Sequence, residues 1–148
     1  MATTIQYLLR MITNEMKVKA DHLLEPYGIT QEQAQTLRYI YESDTGKVAQ
    51  TDLIQIFNRK GPTVSSALRS LENKKLIERI SVPEDTRKKE VVLTALAKKD
   101  VREIIAILDE VEAVLFYEIP KADQNALKEI LYKMQDNLRT LDSEAGPF

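Results

Sequence analysis

The side chains best suited to binding chemistry are concentrated in the middle of this sequence. Residues 59–89 hold nine lysines and arginines against four acidic residues, whereas residues 100–148 hold five against eleven. A short basic segment between acidic ends concentrates positive potential in one place. Such a segment suits contact with a phosphate backbone, although a charged loop is more often only a solvated one.

Catalytic and redox chemistry lack the residues that they need. The 148 residues include no cysteine, which excludes disulfides, thiolate–zinc sites and thiol nucleophiles. His22 is the only histidine, whereas zinc usually takes two or more imidazole or thiolate ligands. The four glycines form neither a phosphate-binding loop nor a nucleophile elbow. We therefore expect no enzymatic activity, no metal and no cofactor, and we expect His22 to be a surface or dimer-contact residue.

The first candidate binding segment is a predicted helix that follows Pro62. Its apolar residues recur at helical spacing and predict one buried stripe: Val64, Ala67, Leu68 and Leu71. The opposite face is small and polar, and it comprises Thr63, Ser65, Ser66, Arg69, Ser70 and Asn73. Small hydroxyl side chains allow close approach to base edges in a major groove, and Arg69 reaches farther, to guanine or phosphate. Pro62 fits the predicted start of this helix, because its backbone angle is already fixed.

The second candidate segment is a predicted β-hairpin. Residues 77–82 and 90–93 are short runs rich in β-branched residues, which predict two strands. The stretch 83–89 between them is too polar to bury, so we expect a charged hairpin tip. This tip could lie along a phosphate backbone and place Arg87 in the adjacent minor groove. A helix, a turn, a polar-faced helix and a basic hairpin follow one another in the order of a winged helix-turn-helix.

Helices are predicted on both sides of this centre. Thr30 with Gln33 forms a capping-box pattern, and Thr94 is a candidate cap for a long helix that lasts until Pro120. The fold class is therefore mainly α, with a small β-hairpin wing. The outer helices carry more apolar residues than one small winged domain needs to cover, which predicts a partner surface. The candidate dimerisation residues are Ile5, Leu8, Ile12, Leu115, Ile119, Leu131, Met134 and Leu138.

Three segments of the sequence resemble the MarR/SlyA family of bacterial transcription regulators. Residues 85–94, DTRKKEVVLT, are similar to the wing signature of that family. Residues 63–65 and 71–79 resemble its recognition helix and the exit from that helix. Two positions depart from the family pattern, since Ile54 replaces a frequent alanine and Lys75 stands where glycine is usual. Lys75 must either adopt a left-handed backbone at some cost or end the helix differently.

The resemblance implies one domain over residues 1–148, with a DNA-binding lobe at about 30–94. Residues 1–28 and 95–142 would form the dimerisation lobe of a homodimer. Its two recognition helices would read a pseudo-palindromic operator in double-stranded DNA, with half-sites about 10 bp apart. The resemblance gives Arg87 a place in the minor groove and gives Asp85 the task of bracing it. The predicted DNA-binding residues are Pro62, Thr63, Ser65, Ser66, Arg69, Arg79, Arg87, Lys88 and Lys89.

The expected function is that of a dimeric repressor, with a possible small-molecule effector that changes its affinity for the operator. Four aromatic residues are weak candidates for an effector pocket, with core packing as the alternative: Tyr7, Tyr39, Phe57 and Phe116. A second hypothesis is a winged helix that binds proteins, which would favour an acidic or apolar recognition face. Residues 1–6 show no secretion signal and no apolar run reaches 18 residues, so we expect a cytoplasmic protein without membrane contact.

Overall fold

A computed structural model of the chain describes residues 3–57 and 60–143. Its helices are α1 (Ile5–Leu23), a short 3-10 helix (Glu25–Tyr27), α2 (Gln31–Glu42), α3 (Gln50–Ile56), α4 (Gly61–Asn73), α5 (Ala95–Leu115) and α6 (Lys121–Ser143). Its strands are β1 (Lys47–Ala49), β2 (Ile77–Val82) and β3 (Asp85–Leu93). The mainly helical fold with a small β wing is therefore confirmed.

The chain forms two compact units, residues 1–112 and 113–148. The first unit has a continuous apolar core to which α1, α2, α4 and α5 each contribute. Its largest fully buried side chains are Leu24, Leu37, Ile40, Leu53, Leu68, Leu71, Ile104, Val91 and Val101. The family resemblance divides the chain into two lobes near residues 28 and 95. Residues from both sides of each of these boundaries belong to this one core. The assignment of those lobes concerns the dimer and stays a prediction.

The wing is part of a three-stranded antiparallel sheet with the order β1-β3-β2. The sequence did not indicate β1, because three residues carry no periodic signal and their partner strand lies far along the chain. The hairpin tip is also shorter than predicted. Val82 pairs with Asp85, so only two residues form the turn and the basic residues 87–89 lie on β3. Lys89 pairs with Ser81 of β2, whereas Arg87 and Lys88 lie in the irregular part of the ladder between the pairs Ser81–Lys89 and Val82–Asp85.

Helix α4 ends on a residue in the left-handed region, since Lys75 has φ of 62°. The Lys75 N–H donates to the carbonyl of Glu72 at 2.8 Å, and the Leu76 N–H donates to the carbonyl of Leu71 at 3.0 Å. These two bonds form the Schellman motif that glycine usually completes. The first of the two alternatives for Lys75 therefore holds, and the turn carries steric strain that glycine would not.

Three side-chain contacts fasten α5 to the preceding helices. Tyr27 Oη donates to Glu103 at 2.6 Å, which raises the pKa of Tyr27. Arg102 Nε donates to the Tyr41 hydroxyl at 3.1 Å. Arg38 bridges Glu42 of its own helix and Asp109 of α5, with a distance of 2.8 Å to each. The long helix is thus held against α2 by polar contacts as well as by the core.

The first turn of α2 is held by α1 and by its own cap. Asp21 Oδ1 accepts the backbone N–H of Gln31 at 2.7 Å, and Lys17 pairs with the other carboxylate oxygen. Thr30 and Gln33 form the predicted capping box, which is confirmed. Burial of Asp21 opposes its ionisation, but the bonds from Lys17 and Gln31 outweigh it and lower the pKa of Asp21 below 3.8.

We expect Lys75→Gly to raise the free energy of unfolding by about 0.5–1 kcal/mol. Glycine removes the steric strain of a left-handed residue that carries a side chain, which stabilises the fold by about 1–2 kcal/mol. The greater conformational freedom of glycine in the unfolded chain offsets part of this gain. Urea denaturation measures the difference. Asn73→Gly, an exposed change within the helical turn, is the control and should lower stability by a few tenths of a kcal/mol. A loss of stability in Lys75→Gly would contradict the argument.

The lowered pKa of Asp21 predicts a pH-dependent contribution to stability. A carboxylate with a lowered folded-state pKa stabilises the fold above its ordinary pKa, and the contribution is lost as the pH falls through the lowered value. We therefore expect Asp21→Asn to be less stable than wild type at neutral pH and equally stable in strong acid. Urea denaturation across this pH range tests it, with the exposed loop variant Asp44→Asn as control. A deficit that is independent of pH would refute the electrostatic origin.

Candidate nucleic-acid interface

The exposed face of α4 carries small polar residues and one arginine. Val64, Leu68 and Leu71 are buried, as predicted. Four residues of the predicted DNA-binding set are exposed on the opposite side: Pro62, Thr63, Ser66 and Arg69. The prediction for Ala67 was wrong, because this residue is exposed at the edge of the stripe. It borders a cavity of about 50 Å³ with Phe57 and Thr63.

Two serines predicted on the outer face are half-buried and bonded to other elements. Ser70 Oγ accepts from Gln33 Nε2 at 3.0 Å, so this hydroxyl contacts α2. The Gln33 oxygen also accepts from Lys74 Nζ at 2.8 Å and from the Thr30 N–H at 3.2 Å. Sequence reasoning found Gln33 only as a capping residue. Nothing in its spacing indicated that the same amide would also contact Ser70 of α4 and the adjacent Lys74.

The other half-buried serine, Ser65, contacts an arginine from the wing. Its Oγ accepts from Arg79 Nη1 at 3.3 Å, and Arg79 Nε donates to Glu72 Oε1 at 2.8 Å. The side chain of Arg79 is 20% exposed and that of Glu72 is 32% exposed. Arg79 therefore faces α4, unlike the other basic residues of the wing.

Arg87 is a highly accessible cation of the wing, with a side chain that is 90% exposed. Asp85 Oδ1 accepts from both the backbone N–H of Arg87 at 3.0 Å and its Nε at 3.3 Å. One carboxylate oxygen thus orients an otherwise free side chain. Lys88 and Lys89 are exposed beside it, and Lys89 Nζ donates to Ser81 Oγ at 2.9 Å. Arg59, the first residue of the basic segment, lies outside the described residues.

A groove of about 410 Å³ separates the wing from the first turn of α3. Arg87, Lys88 and Lys89 line one side, and Gln50 lines the other. The Gln50 Oε1 atom is buried and has no hydrogen-bond partner within the described part of the chain. The fold thus brings the basic strand close to α3, a proximity that the sequence did not indicate because the two segments are far apart in the chain.

The four candidate pocket aromatics occupy different environments. Tyr39 borders an open groove of about 580 Å³ with Glu42, Asp44 and Asp52. Phe57 lines the small cavity beside α4. Tyr7 is 44% exposed on α1, and Phe116 is half-buried in the second unit. The effector pocket stays a prediction.

Seven of the eight candidate dimerisation residues are exposed in the single chain. Ile5, Leu8 and Ile12 form an exposed apolar row on α1. In the second unit Leu115, Ile119, Leu131 and Leu138 are exposed, and Met134 is half-buried. His22 is also exposed, with Nδ1 at 3.6 Å from Glu25. Large apolar side chains left in rows of this kind favour association with another surface.

Within residues 3–57 and 60–143, no group of three or more metal-binding side chains is positioned to hold a metal ion. None of the helices in those ranges is both long and apolar enough to span a bilayer.

Residues 27–88 match the sequence model of the MarR family. The chain is 41% identical, over the aligned part, to MepR from Staphylococcus aureus in a structure described as a MepR–DNA complex. That similarity has a TM-score of 0.86 and covers 92% of this chain and 99% of MepR. The chain belongs to the MarR family.

Further structures agree with this membership. MepR in a structure described as its DNA-binding conformation is 42% identical to this chain, with a TM-score of 0.82 and the same coverage of both chains. A structure of MarR shares the fold at 21% identity, with a TM-score of 0.78 over 96% of this chain and 95% of MarR. The resemblance read from the wing and the recognition helix is thus confirmed, and this MarR-family chain has the winged-helix architecture of transcription regulators.

Proposed function

We propose that this protein is a sequence-specific regulator that binds double-stranded DNA as a homodimer. The observation that carries the proposal is the pairing of two exposed surfaces. The face of α4 formed by Thr63, Ser66 and Arg69 is open to a major groove, and Arg87 extends from the neighbouring hairpin. Their chemistry suits two different parts of the same duplex.

The two surfaces would divide the recognition of DNA between them. Small hydroxyl side chains on α4 allow the helix to approach base edges, where hydrogen bonds discriminate sequence. Arg87 suits a narrow minor groove, because a guanidinium is attracted by its strong negative potential. Asp85 keeps this long side chain oriented. Lys88 and Lys89 are placed on the same strand to contact phosphates, which contribute affinity but little specificity.

The relatives give independent support for this chemistry. MepR is described both in complex with DNA and as a transcription regulator of the multidrug efflux pump MepA. By analogy we propose that this chain binds DNA to regulate transcription. The family resemblance seen in the sequence adds the proposal that it represses transcription and that a small-molecule effector weakens its binding to the operator. An effector that prefers one spacing of the two recognition helices would shift the protein away from the DNA-bound state. The alternative of a protein-binding module receives no support from α4, whose exposed face is neither acidic nor apolar.

The direct experiment is a mobility-shift assay on DNA fragments from around the gene of this protein, over a range of salt concentrations. Selective binding to one fragment, with affinity that falls steeply as salt rises, is the expected result. Equal and weak binding to all fragments would contradict the proposal. The selected fragment then supplies the operator for the variants below and for a screen of effectors.

We expect Arg87→Ala to weaken operator binding by about 1–3 kcal/mol and to leave the dimer intact. The change removes a cation of the wing whose side chain is 90% exposed, without touching the core. The control is Lys128→Ala, which removes one positive charge from an exposed position on α6. Fluorescence anisotropy with labelled operator measures both variants. Operator binding as tight as that of wild type in Arg87→Ala would exclude the wing from recognition.

The proposed dimer predicts that a charge in the apolar row of α6 blocks association. Leu138 is 65% exposed in the single chain, so Leu138→Glu should fold and yet elute as a monomer with little affinity for the operator. Light scattering coupled to size-exclusion chromatography measures the mass. Ile56→Glu places the same charge at an apolar residue of α3 that is 46% exposed and outside the proposed dimerisation lobe, and it should remain dimeric. A dimeric Leu138→Glu would rule out this surface.

A further inference from the structure

Arg79, Glu72 and Ser65 form a cluster that joins the wing to the recognition helix. Arg79 Nε lies 2.8 Å and Nη2 lies 2.5 Å from the same carboxylate oxygen of Glu72. The remaining nitrogen, Nη1, donates to Ser65 at 3.3 Å. All three guanidinium nitrogens are therefore engaged within the protein. This arrangement, which we call the Arg79 cluster, contrasts with Arg87, whose side chain is 90% exposed.

The Arg79 cluster connects two elements that must keep a fixed relation for DNA to be read. On the strand side, Arg79 pairs in the sheet with Val91, which is fully buried. On the helix side, Ser65 and Glu72 are separated by two helical turns and so share one face of α4. The guanidinium thus holds α4 at two points along its length, from a backbone position that the sheet itself fixes.

The bond to Ser65 also sets the hydrogen-bonding role of that hydroxyl. Arginine has only donors, so Ser65 Oγ must accept from it. The proton of Ser65 is then free to be donated elsewhere. In a major groove the matching acceptors are purine N7, guanine O6 and thymine O4.

We propose that Arg79 is a positioning residue for DNA reading and does not itself contact phosphate. It orients α4 through Glu72 and presents Ser65 as a donor to acceptor atoms of the bases. This inference rests on the proposed DNA-binding function and replaces the contact role that the sequence suggested for Arg79. A contact with phosphate would have to use the N–H groups that Glu72 and Ser65 leave unused, on a side chain that is only 20% exposed.

The two roles predict opposite effects for Glu72→Gln. If Arg79 is positioned by Glu72, loss of the carboxylate charge weakens operator binding, by about tenfold, and leaves binding to unrelated DNA nearly unchanged. If Arg79 contacts phosphate, the same substitution frees a cation and removes a negative charge near DNA, so both affinities increase. Glu78→Gln is the matched control, because it removes the same charge from an exposed position on β2 that is adjacent to Arg79 in the sequence. This control should bind the operator as tightly as wild type or more tightly.

Two substitutions of Arg79 add a readout that altered stability alone would not change. Arg79→Lys keeps the charge but cannot span Glu72 and Ser65 in a planar fork, so we expect selectivity for the operator to fall about tenfold. The slope of log Kd against log salt should stay at the wild-type value in Arg79→Gln, whereas a lost phosphate contact lowers it by about one per wing. The double variant Glu72→Gln with Arg79→Gln should bind no worse than the weaker single variant.

The outcomes separate this inference from the function on which it rests. Wild-type protein that binds all sequences equally overturns the regulator proposal and, with it, the role of the Arg79 cluster in reading DNA. Wild-type selectivity together with tighter operator binding by Glu72→Gln, or with a reduced salt slope in Arg79→Gln, overturns only the positioning role. Circular dichroism and urea denaturation confirm that each variant is folded at the assay temperature. If Arg79→Gln does not fold, Glu72→Gln and Arg79→Lys still test the positioning role.

Discussion

Burial of one apolar stripe on α4 determines which residues this protein presents to its surroundings. Val64, Leu68 and Leu71 face the core, and each contributes about 1.5–3 kcal/mol when fully buried. That free energy would be lost if the helix rotated about its axis. Thr63, Ser66 and Arg69 are exposed as a consequence of this burial. The buried stripe therefore fixes which side chains form the exposed face of α4.

Polar contacts refine the orientation that the core imposes. Apolar packing fixes the rotation of α4 well, but it is less directional than hydrogen bonds between charged or amide groups. Gln33 holds the Ser70 and Lys74 end of the helix against α2, while Arg79 holds Ser65 and Glu72 against the wing. Helix α4 is thus connected on two sides to elements that pack into the core. Asp85 has a comparable effect on Arg87, where one carboxylate oxygen accepts two bonds from the same residue.

Charge and apolar surface are separated along the chain in a way that suits a dimeric DNA-binding protein. The exposed basic residues of the wing, Arg87, Lys88 and Lys89, lie on β3, where Lys89 pairs with Ser81 of β2. The exposed apolar rows lie instead on α1 and in the second unit, away in sequence from the basic segment. A protein that binds DNA through one surface and a second copy through another needs this separation, because a charged interface would oppose apolar association.

Local patterns in the sequence determined the helices, the capping box, the hairpin and the family, since each depends on residues close together in the chain. The stripe of Val64, Leu68 and Leu71 is periodic, and the wing signature is a contiguous segment. Tertiary structure decided the features that depend on distant pairing. The strand β1 exists because it pairs with β3, and the exposure of Ala67 depends on how neighbouring elements cover α4. Tertiary structure also decided whether each basic residue is exposed. Arg79 and Arg87 look alike in the sequence, but Arg79 lies on a regularly paired part of β2 beside Ser65 and Glu72 of α4. Arg87 lies in the irregular part of β3 near the turn and stays exposed.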